Sequence, residues 1–273
     1  MKVILIGDPV AHSLSPAMQN AAFAALGLPH RYELLRVAAA DLAGAVRRLR
    51  EDGVLGANVT IPHKEQVGAH LDGVEETARR IGAVNTVFKR DGALWGDNTD
   101  AGGFADALAE AGVDVSGRRV LVLGAGGAAK ACIDRLVAAG AASVSVASRT
   151  QDPERFQRIV HAATPVAAPG AALEPVGWPV RDLSGYQILV NATSLGMHRE
   201  GVLEGLELPG SLAVADVVAT ADETPLVTRA RAAGCVVVDG LLMLLHQGRR
   251  AFRLWTGLDA PGNVMRAALP RAV

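Results

Sequence analysis

Apolar residues fall in short runs, each closed by glycine, proline or a polar turn and followed by a longer stretch in which they recur with helical spacing. Buried strands alternating with amphipathic helices predict α/β cycles, that is, parallel sheets with helical crossovers. Lys2 to Gly7 (KVILIG) reads as the first buried strand. Ser15-Pro16 predicts a helix start, with serine as the cap and proline at the first helical position, and Gly27 predicts its end. Tyr32 to Val37 and Val54 to Thr60 read as strands on either side of a helix from Asp41 to Asp52, and another helix opens at Pro62. Ala83 to Phe88 and Ala93 to Gly96 predict a hairpin around Arg90-Asp91-Gly92.

A helix from Gly103 to Ala111 leads into a second cycle, opening near residue 117. Its strands are expected at Arg119 to Leu123, Ser143 to Ala147, Gln187 to Asn191, Ala213 to Val218 and Val236 to Asp239, with a helix at Gly127 to Ala139. Apolar helices from Gly240 to Trp255 and Gly262 to Leu269 close the chain, while residues 164–180, rich in Pro, Ala and Gly, fit no element. Two cycles in 273 residues predict two α/β domains with a cleft between them.

Composition narrows the function. The formal net charge is −1 and Lys and Arg are scattered, so the electrostatic footprint of a nucleic-acid binder is missing. Cys132 and Cys235 lack metal-ligand spacing and read as two buried small hydrophobes; no metal constellation is visible. No apolar stretch approaches membrane-spanning length and the first residues are too short a run for a signal peptide, so a soluble cytoplasmic protein is expected.

Gly124-Ala125-Gly126-Gly127-Ala128-Ala129 fits G-x-G-x-x-A directly after the strand RVLVL and opens a helix. The first glycine permits a tight turn, the second lets backbone approach a pyrophosphate, and the small third position lets helix pack on strand. This is a Rossmann-like dinucleotide signature. At the end of the next strand an NAD site usually carries a carboxylate for the ribose hydroxyls. Here Ser148-Arg149-Thr150 offers a guanidinium fork flanked by two hydroxyls, which suits a 2′-phosphate and so favours NADP. Asp152, close by, opposes a phosphate, and the bland alternative for Arg149 is a solvated surface arginine.

Three segments in the first hundred residues carry polar groups at strand ends. Ser13 and Ser15 can present two hydroxyls to a carboxylate, or Ser15 can serve only as a helix cap. In Asn58-Val-Thr60-Ile-Pro62-His-Lys64, a lysine in a first helical turn meets the positive end of the dipole, which makes it a candidate for a lowered pKa and proton transfer, the alternative being a surface lysine. Asn85-Thr86 and Gly96-Asp97-Asn98-Thr99-Asp100 follow, and Asp100 is either a helix cap or the carboxylate partner of Lys64.

With these segments in view, the sequence resembles the shikimate dehydrogenase family. The matching segments are GDPVAHSLSP, GANVTIPHK, GAVNT, GDNTD, VLGAGGAAK, SRT, NATSLGM and DGLLMLLHQ, in family order from residue 7 to 247. The resemblance implies a substrate and catalytic domain over residues 1–100, completed by helices in 240–273, and a Rossmann-like NADP domain over 101–239. It implies reversible reduction of 3-dehydroshikimate to shikimate in aromatic amino acid (chorismate) biosynthesis, by a monomer or homodimer that binds neither nucleic acid nor membrane. Lys64 and Asp100 would form the catalytic pair. Ser13 and Ser15 would hold the substrate carboxylate, Thr60, Asn85 and Gln247 the ring hydroxyls, and Asn58 would support them. Beside Gly124, Gly126, Gly127, Ala128, Ser148, Arg149 and Thr150, the cofactor set would include Asn191, Thr193, Met197 and Gly240. Two departures stand out: Ala219 takes the place of a tyrosine that reaches the substrate carboxylate in many members, and Leu242 stands where glycine is common. They keep two alternatives open, a quinate/shikimate dehydrogenase or a divergent paralogue acting on a related ring acid with NAD. A non-catalytic NADP-binding regulator is the alternative outside the enzymes, and retention of Lys64, Asp100, Asn85 and Gln247 together speaks against it.

Overall fold

The computed structural model describes residues 1–150, 152–167 and 171–270. The chain divides into two compact units, one formed by Met1–Gly103 with Leu245–Val273 and the other by Phe104–Leu244.

The first unit is built on a six-stranded sheet. Its strands are β1 (Lys2–Gly7), β2 (Arg31–Arg36), β3 (Val54–Val59), β4 (Gly73–Val74), β5 (Thr86–Arg90) and β6 (Ala93–Asp97), in the order β2-β1-β3-β5-β6-β4. β1 pairs in parallel with β2 and β3, whereas β5 pairs antiparallel with β3 and β6. The expected hairpin turns at Asp91 and Gly92, both at positive φ, as a two-residue turn of the right twist requires. Helices α1 (Ser15–Ala25), α2 (Leu42–Arg48) and α3 (Glu76–Ile81) connect the strands. One face of the sheet packs Ile4, Ile6, Val59 and Val87 against Val46 and Leu49 of the α2 region.

Two local expectations change. Ser15 is not the cap of α1: it is the first helical residue, and the Oγ of Ser13 takes its amide at 3.3 Å, so the cap role falls to the turn before it. No α-helix opens at Pro62. The Ile61–Pro62 bond is cis and the chain runs through tight turns, His63 N to Thr60 O and Gln66 N to His63 O, into a short 3-10 helix at Val67–His70. His63, fully buried with Nε2 2.7 Å from Val37 O, pins that turn to the end of β2. The helix-dipole argument for Lys64 therefore falls away.

The second unit carries a fully parallel sheet of β7 (Arg119–Leu123), β8 (Ser143–Ala147), β9 (Ala172–Val176), β10 (Ile188–Asn191), β11 (Ala213–Asp216) and β12 (Val236–Val238), in the order β12-β11-β10-β7-β8-β9. Helices α4 (Thr99–Glu110) and α8 (Gly240–Thr256) belong to both units by sequence, while α5 (Gly127–Ala138), α6 (Pro153–Ala163) and α7 (Pro225–Ala232) lie within the second. α9 (Gly262–Ala267) packs on α1. The unassigned stretch supplies a 3-10 turn at Thr164–Val166 and the edge strand β9; its residues 168–170 lie outside the described residues. Cys132 is buried as expected, but Cys235 is only half-buried, its thiol 3.3 Å from Pro209 O at the surface. Among the described residues no helix is long and apolar enough to cross a membrane.

Candidate active site

In the first unit Lys64 lies in the turn after β3 and Asp100 in the first turn of α4. Asp100 does not cap its helix. Asn98 does so, accepting from Ala101 N at 3.1 Å and donating to Ala83 O at 2.9 Å, which leaves both oxygens of Asp100 for other partners. Lys64 Nζ donates to Asp100 Oδ2 at 2.7 Å and Asn85 Nδ2 donates to Oδ1 at 2.8 Å. The lysine side chain is 17% exposed and the carboxylate 8%, so this pair is substantially withdrawn from water while one edge stays accessible.

The amide of Asn85 has one orientation only. Its Oδ1 accepts from the backbone N of Thr99 at 2.7 Å and from the Thr86 hydroxyl at 3.0 Å, so its NH₂ must face Asp100. Asn58, on β3 and buried, donates through Nδ2 to Asn85 O at 3.1 Å and to Thr86 Oγ1 at 3.0 Å. Thr86 and Thr99, quoted within GAVNT and GDNTD, thus act as linkers in a buried polar network in which each donor meets an acceptor.

Thr60 follows Asn58 at the end of β3, its amide on Ile6 O at 2.9 Å. Gly7 makes this approach possible, because a Cβ there would lie 2.3 Å from Thr60 Cγ2. Gln247, buried on α8, sits where Gly103 lets α4 and α8 touch: a Cβ on Gly103 would lie 2.5 Å from Gln247 N. Ser13 is half-buried and Ser15 buried at the start of α1. The sequence reading missed Tyr32. Its hydroxyl donates to Asn58 Oδ1 at 2.8 Å, and burial drives its pKa far above the ordinary phenol range. Nothing in the sequence pattern singled it out, because a tyrosine in a strand is ordinarily just core.

The second unit holds the nucleotide signature. Gly124 ends β7 with φ of +110°, and a Cβ there would sit 2.7 Å from Ala192 O, so both the turn and the neighbouring loop demand glycine. Gly126 is the extended cap residue of α5 with no side-chain cap, and a Cβ on it would meet nothing within 4 Å. The space beside Gly126 at the start of α5 is thus open where a side chain would otherwise stand. Past β8, Ser148 is half-buried and Arg149 and Thr150 are exposed. Asp152, which seemed set to oppose a phosphate, is occupied as the cap of α6: it accepts from Arg155 N at 3.1 Å and lies 3.9 Å from Arg158.

Asn191 ends β10 and organises the loop that follows. Its Oδ1 accepts from Thr193 N and Oγ1, at 3.2 and 2.7 Å, and its Nδ2 donates to Leu195 O and to Asp216 Oδ1. Asp216 also accepts from Val218 N and, at 2.6 Å, from Thr224 Oγ1. Burial raises its pKa to about 6 despite these bonds, with nearby Asp239 adding to the rise. Met197 is exposed on the loop, 43% accessible. Gly240 opens α8 against the chain at Ala219, where a Cβ would lie 2.2 Å from Val218 O, and Asp239 caps that helix through Leu241 N and Leu242 N.

Comparison with known proteins finds relatives over nearly the whole chain. A family profile described as the shikimate dehydrogenase substrate binding domain matches residues 5–87, and one described as the shikimate 5′-dehydrogenase C-terminal domain matches residues 240–269. The chain is 45% identical over 271 residues to the shikimate dehydrogenase (NADP(+)) of Symbiobacterium thermophilum, covering 97% of this chain and 92% of that one. The crystal structure of the Thermus thermophilus shikimate 5-dehydrogenase with NADP(H) and shikimate superposes with a TM-score of 0.85 at 39% identity, covering 100% of both chains. A quinate dehydrogenase from Corynebacterium glutamicum in complex with NAD gives a TM-score of 0.86 at 33% identity, covering 98% of each.

Proposed function

This chain belongs to the shikimate dehydrogenase family, and we infer that it is an NADP-dependent oxidoreductase acting on a CH–OH group, interconverting 3-dehydroshikimate and shikimate in chorismate biosynthesis. The observation that carries this reading is the Lys64–Asp100 pair, held by Asn85 and largely buried in the first unit.

Bound NADPH supplies the hydride. Gly124, Gly126, Gly127 and Ala128 would receive its pyrophosphate, and Ser148, Arg149 and Thr150 the 2′-phosphate. Asn191 and Thr193 would shape the nicotinamide end together with Met197 and Gly240. The absence of a carboxylate after β8, with Asp152 already engaged as a cap, favours NADP over NAD.

In the direction of ketone reduction, Lys64 gives a proton to the oxygen that becomes the hydroxyl. One Nζ hydrogen is held by Asp100, which leaves the other two for that oxygen. Asp100 keeps the ammonium aimed and compensates its charge in a poorly solvated place. In the reverse direction the same nitrogen takes the proton back. Asn85, whose amide orientation is fixed, presents its remaining polar surface beside Asp100 for a ring hydroxyl, with Thr60 and Gln247 as further candidates. Ser13 and Ser15 are the candidates for the carboxylate. On this reading the enzyme works in the cytoplasm as a monomer or homodimer.

Initial rates of shikimate and quinate oxidation, each with NADP⁺ and NAD⁺, test the proposal. Turnover confined to shikimate with NADP⁺ supports it, whereas turnover chiefly with quinate or NAD⁺ moves the chain toward the quinate-oxidising branch, and silence in all four combinations overturns it.

A further inference from the structure

We propose that Tyr32 is a positioning residue of the Lys64–Asp100 pair, acting through Asn58, Thr86 and Asn85. The proposal rests on the reading that this pair manages the substrate proton.

Tyr32 is the one residue of the edge strand β2 that is buried, at 3% exposure. Apolar packing alone would be served by phenylalanine. A hydroxyl taken that deep costs free energy unless it is fully partnered, so its bonds are informative. The whole residue is clamped. Asn20 of α1 accepts from its backbone N at 2.8 Å and donates to its carbonyl at 3.1 Å, and the ring lies 6.1 Å from that of Trp255, whose Nε1 is itself bonded to Val87 O.

Donor and acceptor counting fixes the direction of the bonds at Asn58. Asn58 spends both Nδ2 hydrogens on Asn85 O and Thr86 Oγ1; the first of these is a carbonyl, so the amide cannot be reversed. Its Oδ1 must then accept, and Tyr32 is the donor at 2.8 Å. Its only proton is thereby committed to Asn58. Beyond Asn58 the relay continues from the Thr86 hydroxyl to Asn85 Oδ1, and from Asn85 Nδ2 to Asp100 Oδ1. Tyr32 thus stands at the outer end of the chain of bonds that reaches the amide setting Asp100. Removing its hydroxyl leaves Asn58 Oδ1 buried without a donor, and the loosened amide no longer holds Thr86 and Asn85 in one arrangement.

Tyr32→Phe, Asn58→Ala and the double variant provide the test, with far-UV circular dichroism as the check on folding. The expected result for Tyr32→Phe is a fall in kcat on the order of tenfold, as for small misplacements of reacting groups, with KM for NADP⁺ unchanged. The double variant should be no slower than Asn58→Ala alone, because both break one relay. A purely structural role would lower Tm and leave kcat and both KM values alone, which overturns the proposal. A rise in KM for shikimate at constant kcat also overturns it, placing the effect on substrate binding alone, and so does additivity of the two single variants. If Tyr32→Phe does not fold, an undiminished kcat in Asn58→Ala is sufficient to reject the relay. Lys64→Ala, measured alongside, separates the two ideas: wild-type turnover in that variant defeats the proton-transfer reading whatever Tyr32 does, while its loss with a neutral Tyr32→Phe defeats the relay only.

Discussion

Lys64 Nζ donates to Oδ2 of Asp100 across 2.7 Å, although the two residues lie 36 positions apart in sequence. The contact depends on Asn98 capping α4, which spares Asp100, and on His63 anchoring the turn that carries Lys64. Replacing Lys64 by alanine removes the proton donor. General acid–base groups contribute on the order of 10²–10⁴-fold, so kcat for shikimate oxidation is expected to fall at least about 100-fold. Titration of the variant with NADP⁺, followed by fluorescence, should give unchanged affinity; an equal loss of affinity and rate would argue against the assigned role.

Arg149 is exposed past the end of β8, next to the half-buried Ser148, and Asp152 is engaged as the cap of α6. A charge-assisted bond to a phosphate contributes about 1.5–3 kcal/mol. Arg149→Ala is therefore expected to raise KM for NADP⁺ about 10- to 100-fold while leaving the KM for NAD⁺ little changed. A parallel rise for both cofactors would point to a damaged loop instead of a lost phosphate contact.

Gly124 combines φ of +110° with a carbonyl 2.7 Å from where its Cβ would be. Backbone strain of this kind costs on the order of 1–3 kcal/mol. Gly124→Ala should lower the urea midpoint and weaken NADP⁺ binding together, and isothermal titration beside chemical denaturation checks both. Retention of wild-type values would mean that the β7–α5 turn relaxes without consequence.

Asp216 is buried behind the Asn191 loop with its pKa raised to about 6, against 3.8 for an unperturbed carboxyl. A raised folded-state value means that the native protein holds a proton that the unfolded chain has already lost. The stabilising contribution of Asp216 is thus full below about pH 4 and declines as pH climbs to about 6. The Tm difference, wild type minus Asp216→Asn, should therefore shrink across that interval and be flat above it. Differential scanning fluorimetry over pH 4 to 8 measures it, and a difference that grows with pH would contradict the burial argument.

The strand cores, the glycine turn of the second unit and the hairpin at Asp91-Gly92 were readable from the sequence because they rest on neighbouring residues: apolar runs, positive φ and small side chains act within a few positions. α3, α6 and α7 escaped notice: the first two carry charged residues in their first turns and α7 is only eight residues long. The residue types of the site were equally legible, since carboxylates, lysine and asparagine at strand ends have little reason to be there otherwise. Their roles within the network were not. Whether Ser15 or Ser13 serves the α1 turn, and whether Asp100 or Asn98 caps α4, depends on which side chain reaches an amide first in three dimensions. The helix expected at Pro62 gave way to a turn because a buried histidine bonds to Val37 from another strand. Tyr32 shows the division most clearly: the sequence places an aromatic residue in a strand, but only the sheet order, with β1 between β2 and β3, brings its hydroxyl to Asn58, since a hydrogen bond is decided by tenths of an ångström between residues far apart in the chain.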